Sequence, residues 1–160
     1  MNSPKLQLED YFLTKMLVVW HPPEKPTTVT SEFRFGYEVR RHKTETRKFR
    51  LHFTMQAIPK QQNPVAGYEM ECQIAGLFSF GEGTSEDEMQ QLIRINGGTI
   101  LYGILRGHVA TVTGCFPGGK FTLPTVMMQD VVQGVEAEKA ERAAKINATA
   151  PKVEKKTVSR

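Results

Sequence analysis

The stretch that decides the fold covers residues 76–132 and reads GLFSFGEGTSEDEMQQLIRINGGTILYGILRGHVATVTGCFPGGKFTLPTVMMQDVV. Its apolar beginning, GLFSF, is typical of the end of a strand, and the glycines that follow predict a turn. Thr84 or Ser85 is predicted to cap a helix, because each is followed three residues later by an acidic residue. Nothing in this stretch has the pattern of a catalytic motif, and it indicates a large apolar surface.

The long helix predicted after this cap contains an interruption and a stripe of small residues. Gly97-Gly98 is expected to kink or break the helix, which resumes at Thr99 and ends at Phe116-Pro117. Each mid-helix glycine costs roughly 1 kcal/mol relative to alanine, so the stripe predicts close packing against another helix or a sheet. Pro124 suits the first turn of a last helix. The stripe consists of Gly103, Gly107, Thr111 and Gly114.

Four strands are predicted before the helices. The first has a broken alternation, whereas the other three alternate apolar and polar residues, which is typical of an antiparallel sheet with one buried face. The predicted fold class is therefore α+β, with a four-stranded antiparallel sheet, a long broken helix and a second, C-terminal helix packed on one face. The strands are predicted at residues 6–20, 32–41, 48–57 and 68–80.

The chain has 160 residues, of which 39% are hydrophobic, and this length suits one domain with its own core. That domain is predicted to span residues 1–135. Residues 136–146 form a charged, alanine-rich stretch with strong helix propensity. Residues 147–160 lack apolar content and are predicted to be a disordered basic tail.

Sequence features that reveal a compartment point to the cytoplasm. No run approaches the roughly 20 apolar residues that a membrane helix needs, and MNSPKLQLEDYF does not resemble a secretory signal. Cys72 and Cys115 have no partners at metal-ligand spacing, so both are predicted to be buried, reduced residues. We therefore predict a cytoplasmic protein without membrane insertion.

No constellation of residues predicts catalysis, a metal or a cofactor. The four histidines are isolated in sequence, and His108 is predicted to be a core residue on an apolar helical face. The glycines form no phosphate-binding fingerprint, and no nucleophile elbow is present. The chain is therefore predicted not to be an enzyme, and a small-ligand enzyme with a site between sheet and helix remains the third alternative.

Net charge leaves a second alternative open. Residues 32–60 contain eight Lys/Arg against three Glu, and a basic surface attracts nucleic acid. No recognition helix or RNA-reading aromatic motif accompanies these residues, so a solvated strand face is the preferred interpretation. A nucleic-acid-binding module would use Arg34, Arg40, Arg41, Arg47, Lys48 and Arg50.

Aromatic and methionine residues indicate more apolar surface than one or two helices cover. The second, third and fourth strands carry eight aromatic residues, and the chain has seven methionines, which suit surfaces that accept many partners. Part of this surface is predicted to meet another subunit or a client protein. The aromatic residues are Phe33, Phe35, Tyr37, Phe49, Phe53, Tyr68, Phe78 and Phe80.

In this order of elements, the chain resembles the SecB family of export chaperones over about residues 6–135. Residues 76–80, GLFSF, are similar to the end of the family's fourth strand. Residues 100–102, together with Arg106, resemble the opening of its long helix. Phe116-Pro117 and Leu123-Pro124 resemble the connection to its last helix.

The resemblance implies an ATP-independent holdase that binds unfolded polypeptides in apolar grooves for protein export. It also implies a homotetramer, made as a dimer of dimers with long helices between the sheets. The peptide-binding candidates are Phe33, Phe35, Tyr37, Met70, Ile104, Val126 and Met127. The positions that resemble those affecting assembly are Met70, Cys72 and Ile74.

Departures from the family concern its docking on the motor SecA, which uses acidic residues on the exposed sheet face. On the first strand, the positions that carry acidic residues in the family correspond by resemblance to Met16 and Trp20 in this chain. The second strand is also rich in arginine, and both departures argue against SecA as a partner. Glu69 and Glu71 remain as motor-docking candidates. Some SecB-like proteins instead protect the antitoxin of a toxin–antitoxin pair, which is the alternative function within this family.

Overall fold

The computed structural model describes residues 4–25, 28–60 and 65–149, and its elements follow the predicted order. The strands are β1 (Leu6–His21), β2 (Ser31–Arg41), β3 (Lys48–Pro59) and β4 (Gly67–Phe80). The helices are α1 (Glu86–Leu92), α2 (Gly98–Thr113) and α3 (Met128–Thr149). This arrangement confirms the predicted α+β class.

The four strands form one antiparallel sheet in the order β1-β4-β3-β2. β2 pairs with β3 and β3 pairs with β4, which are neighbours in the sequence. β1 pairs with β4, the last strand of the chain, and so lies at the edge opposite to β2. β1 and β2 are therefore the edge strands, whose outer backbone groups have no strand partner among the described residues.

The broken alternation of β1 comes from two irregularities in its pairing with β4. The register shifts between Leu8 and Asp10 and again between Leu13 and Lys15. An extra residue at each point reverses which side chains face the core. The two reversals cancel, so the core-facing residues are Leu6 and Leu8 before the first shift, Leu13 between the shifts, and Met16, opposite Cys72, after the second.

One face of the sheet forms the core with the helices. Side chains of β3 and β4 alternate as predicted, and Phe53 and Phe78 are each 1% exposed. The helices cover this face with fully buried residues of α2 and of the turn that precedes it, residues 93–97. The largest fully buried side chains include Leu51, Met55, Met70, Ile74, Ile93, Leu101, Leu105, Val109 and Leu123.

The predicted helix start is correct, and the predicted kink or break takes the form of a π-helical turn rather than an end of the helix. The Ser85 hydroxyl accepts a hydrogen bond from the backbone N–H of Glu88 and caps α1. Residues Ile93–Gly97 form a π-helical turn that joins α1 to α2 without an interruption. A Cβ on Gly97 would lie 3.2 Å from Leu51, and one on Gly98 would lie 3.0 Å from Met128. The two glycines therefore permit close packing rather than ending the helix.

The last helix begins at Met128 rather than near Pro124, which corrects the sequence-based prediction. Residues 121–127 are not helical. The Tyr102 hydroxyl donates to the Pro124 carbonyl at 2.6 Å, and the Phe121 N–H donates to the Thr113 hydroxyl at 2.8 Å. These bonds hold the segment against α2, and the side chain of Leu123 within the segment is buried. We call residues 121–127 the crossover segment.

The predicted division at residues 135 and 136 falls within α3, which continues to Thr149. The helix also includes the first residues of the predicted disordered tail, whereas residues 150–160 lie outside the described part of the chain. Within the described ranges, no helix is both long enough and apolar enough to cross a membrane.

Three predicted burials have different outcomes. Cys72 is buried as expected, but Cys115 is exposed. His108 is only partly buried, and its ring centroid lies 6.2 Å from that of Tyr11. The small-residue stripe of α2 is open, because a Cβ on Gly103 or Gly107 would meet no other group within 4 Å. Among the described residues of one subunit, nothing packs closely against Gly103 or Gly107.

Candidate functional site

A cleft of about 470 Å³ lies between the outer edge of β2 and the beginning of α3. Phe33 and Phe35 line its sheet side, since the alternation of β2 turns both rings toward the helices. Val126 and Met127 line the opposite side, and α3 completes the wall. Met127 is 68% exposed, so the cleft presents apolar surface to solvent. We call this the β2 cleft.

Packing of the aromatic residues holds the floor of the β2 cleft. The Phe35 ring lies 6.1 Å from the Phe53 ring and 5.9 Å from the Tyr102 ring, measured between centroids. The Phe33 ring lies 6.5 Å from that of Phe121 in the crossover segment. Phe35 is therefore anchored in the core, whereas Phe33 lies nearer the rim.

The structure brings four of the seven predicted peptide-binding residues together in this cleft: Phe33, Phe35, Val126 and Met127. The other three lie elsewhere. Met70 is 2% exposed on β4, beneath the helices. Ile104 is partly buried on α2, and Tyr37 lies farther along β2, under α3.

Tyr37 is the point at which α3 is attached to the edge of the sheet. Its hydroxyl donates to the Glu136 carboxylate, and Lys139 Nζ donates to the Tyr37 backbone carbonyl at 3.0 Å. The same ammonium lies 4.3 Å from the centroid of the Tyr37 ring. Burial, followed by the bond to Glu136, raises the pKa of Tyr37 to about 12. The phenol therefore keeps its proton as a donor at neutral pH.

The three predicted assembly positions face the core of the single subunit. Met70, Cys72 and Ile74 alternate with polar residues on β4, as predicted, and Cys72 and Ile74 are both 0% exposed. Burial raises the pKa of the Cys72 thiol to about 11. Any influence of these residues on assembly would therefore be transmitted through the packing of the helices.

Glu69 and Glu71, the motor-docking candidates, lie on the solvent-facing side of the sheet, where residues of β1 contact both. Lys15 Nζ contacts Glu71 at 2.6 Å and His21 Nε2 contacts Glu69 at 3.1 Å. The hydrogen bond from Lys15 lowers the pKa of Glu71, so Glu71 stays ionised within a pair.

The assignment of first-strand docking positions to Met16 and Trp20 is wrong. Met16 lies opposite Cys72, and the Trp20 ring packs 4.8 Å from Tyr68, on the core side of the sheet. The pairing of β1 with β4 places Leu17 and Val19 on the outer face instead, opposite Glu71 and Glu69. Leu17 is 47% exposed and Val19 is 36% exposed.

Most of the cations that a nucleic-acid site would use have partners within the subunit. Four form ion pairs with glutamates: Arg34 with Glu32, Arg40 with Glu38, Arg41 with Glu86 and Lys48 with Glu45. Arg47 donates to the carbonyls of Gly81 and Thr84. The Arg50 guanidinium lies 5.1 Å from the Phe12 ring centroid. Carboxylates therefore compensate four of these six cations, whereas the contacts of Arg47 and Arg50 leave their charge in place.

Sequence reasoning missed the contribution of α3 to the β2 cleft. Val131, Gly134 and Val135 line its helical wall, and Lys139 lies one turn beyond. Met127, Val131 and Val135 recur every four residues, which is the spacing of one helical face, and this was the available signal. In the part of the chain that the structure describes, no three His, Cys, Asp or Glu side chains come together as metal ligands would.

No protein-family model matches the chain, and no curated protein sequence matches it. Solved structures do match. A SecB-like chaperone of Mycobacterium tuberculosis, in complex with a ChAD peptide from the HigA1 antitoxin, is 20% identical, covers 76% of this chain and 91% of its own, and has a TM-score of 0.62. A Streptococcus agalactiae protein of unknown function is 12% identical over 78% of this chain and 100% of its own, with a TM-score of 0.44. The first match shows that the chain has a SecB-like fold.

Proposed function

We propose that this protein is an ATP-independent holdase that binds non-native polypeptides without catalysis. The observation that carries the proposal is the β2 cleft, in which exposed apolar side chains, flanked by charged residues, lie beside a strand edge that no described strand pairs. An unfolded chain offers the two groups that such a surface binds, which are apolar side chains and backbone amides. The mycobacterial relative of this fold was solved with a peptide of an antitoxin, which supports a polypeptide as the ligand.

The binding energy would come from weak contacts at several sites. Burial of about 300 Å² of apolar surface contributes roughly 7 kcal/mol before the costs of association are subtracted. One cleft therefore binds a segment weakly, without selecting a sequence. Clefts repeated on the subunits of an oligomer would bind one client at several points, and their effective concentration raises the overall affinity.

The proposed oligomer is a homotetramer, built as a dimer of dimers. The exposed side of α2 supports it, because Gly103 and Gly107 allow another backbone to approach closely and Ile100, which is 37% exposed, adds apolar area. A second copy of this chain is the proposed occupant of that surface. Burial of this stripe between subunits would account for glycines that are unfavourable in an isolated helix.

We expect the protein to delay aggregation of a diluted, chemically unfolded protein at near-stoichiometric amounts. Light scattering measures the delay, and ATP should not change it, because binding relies on surface burial alone. Absence of any delay at a several-fold molar excess would contradict the holdase. Binding of nucleic acid by the same preparation, steeply weakened by salt, would favour the basic-module alternative.

Protection of an antitoxin is the function within this family that the outer face of the sheet favours over SecA-dependent export. Glu71 forms an ion pair with Lys15, and Glu69 contacts His21, so the face does not offer two unpaired carboxylates for docking. Leu17 and Val19 add apolar surface where acidic docking would need carboxylates. We propose that the client is released by its own folding or by its own partner rather than by SecA.

The protein is therefore expected not to form a stable complex with purified SecA at micromolar concentration. Size-exclusion chromatography of the mixture at low salt provides the measurement, with aggregation suppression by the same sample as the control for folded protein. A complex that salt weakens, and that Glu69→Gln with Glu71→Gln abolishes, would instead establish acidic docking and favour the export function.

A further inference from the structure

The hydrogen bonds at the two ends of β2 determine which of its backbone groups face the open edge. The Lys60 N–H donates to the Thr30 carbonyl at 2.8 Å, and the His42 N–H donates to the Lys48 carbonyl at 2.8 Å. In an antiparallel pair, alternate residues exchange both bonds with the partner strand. Because residues 30 and 42 both bond toward β3, the even-numbered residues of β2 face β3. The odd-numbered residues turn their N–H and C=O groups outward.

The outward-facing backbone belongs to the same residues that line the β2 cleft. Phe33 and Phe35 are odd-numbered, so their N–H and C=O groups face the edge, where no strand of the described residues pairs with them. Their side chains point into the cleft. An extended chain placed along this edge would reach backbone partners and apolar surface at the same time.

Helix α3 occupies the next outward-facing carbonyl along β2. Lys139 donates to the Tyr37 carbonyl, as the alternation requires of an odd-numbered residue, and Glu136 accepts from the Tyr37 hydroxyl. Natural proteins protect sheet edges with lysines and covering helices. Here that protection reaches Tyr37 and leaves Phe33 and Phe35 open.

We propose that an extended polypeptide pairs with β2 at Phe33 and Phe35 as a fifth strand, and that Lys139 limits this pairing by occupying the Tyr37 carbonyl. This inference rests on the proposed function and specifies how the client binds. The client segment alternates apolar and polar residues, because side chains opposite Phe33 and Phe35 enter the cleft. The intervening side chains lie on the solvent side, near Glu32 and Arg34.

Backbone N-methylation tests the pairing. The probe is a synthetic peptide of about ten residues that alternates valine and threonine between terminal lysines. Two versions carry the same number of N-methyl groups, either on the valines or on the threonines. Methylation removes donors along one edge of an extended peptide, so one version is expected to bind at least tenfold more weakly than the other in a fluorescence titration.

Equal affinities of the two methylated peptides would overturn strand pairing. In that case, suppression of aggregation by the wild-type protein would leave the holdase proposal standing. Failure to bind the unmethylated peptide, together with failure to suppress aggregation, would refute the proposed function itself. Weaker binding of the peptide methylated on its valines would show that the client pairs with β2 in the antiparallel direction, because valines opposite Phe33 and Phe35 then donate the hydrogen bonds. Weaker binding of the peptide methylated on its threonines would show parallel pairing, in which the intervening residues donate.

Lys139→Met tests the limit set by α3, since methionine keeps most of the apolar stem but cannot donate to the Tyr37 carbonyl. The variant is expected to bind the unmethylated peptide at least about threefold more tightly. Arg142→Met is the matched control, because it also removes a cation from α3. The Arg142 guanidinium pairs with Glu138 of the same helix at 3.8 Å, so the change leaves the Tyr37 carbonyl bonded to Lys139. An unchanged or weaker affinity of Lys139→Met, with an unchanged melt, would overturn the role of Lys139.

Discussion

Replacing Phe33 and Met127 together by serine is expected to weaken client binding by tenfold to a hundredfold while the thermal melt changes little. Each side chain contributes roughly 1.5–3 kcal/mol when a client buries it fully, and tenfold in affinity corresponds to about 1.4 kcal/mol. Met127 is 68% exposed in the free protein, so its loss removes little folded-state packing. A peptide titration beside a circular dichroism melt measures both quantities.

Two control variants separate this site from the rest of the molecule. Ile146→Ser removes an apolar side chain that is 70% exposed on α3, outside the β2 cleft, and should leave binding unchanged. Phe53→Ser empties a core position that is 1% exposed. It should cost roughly 3–5 kcal/mol and lower the melting temperature by about 10 °C or more. Unchanged binding by a folded Phe33→Ser, Met127→Ser variant would exclude the cleft as the client site.

Phe35 and Tyr37 are less suitable for separating binding from folding, although both lie on the predicted face of β2. Phe35 packs against Phe53 and Tyr102, and Tyr37 is 9% exposed and anchors α3. Serine at both positions should lower affinity and stability together. The alternation predicts that face correctly, but it does not show how far each residue lies beneath a helix that comes almost a hundred residues later.

Local alternation of apolar and polar residues predicted the strands well, because paired strands carry matching patterns. Apolar residues of β3 lie opposite apolar residues of β4, so both strands contain the same information. β1 does not follow this rule, because the positions of its two bulges depend on its pairing with β4 and not on its own alternation. The outer-face positions of Met16 and Trp20 were implied by the family resemblance, and their pairing with Cys72 and Tyr68 places both on the core side.

At two places, tertiary contacts override the local preferences of glycine and proline. Gly97-Gly98 has the composition of a break, yet the sheet and Met128 lie too close for larger side chains there. Pro124 suits a first helical turn, but the Tyr102 hydroxyl holds its carbonyl in the crossover segment. The contact of Lys139 with β2 depends on where α3 crosses the edge, which no local pattern specifies.

The small-residue stripe of α2 yields the largest expected change in assembly. Gly103→Glu with Gly107→Glu should lower the particle mass from that of a tetramer to a half or a quarter, because the bulky, like-charged side chains would meet a second copy. Within one subunit, both positions are open and helical. The subunit itself should therefore remain folded, and light scattering coupled to size exclusion reads the mass.

Alanine at the same positions tests the interface by the sign of its effect. In an isolated helix, Gly→Ala is stabilising by roughly 1 kcal/mol, and a Cβ on Gly103 or Gly107 lies within 4 Å of none of the described residues of the subunit. If a second copy packs closely on α2, the added methyl groups should instead promote dissociation on dilution. Gly134→Ala on α3, where a Cβ also has open space, should stabilise without changing the mass. A wild-type monomer at micromolar concentration, or Gly103→Ala and Gly107→Ala variants that gain stability at unchanged mass, would show that the stripe is not an interface.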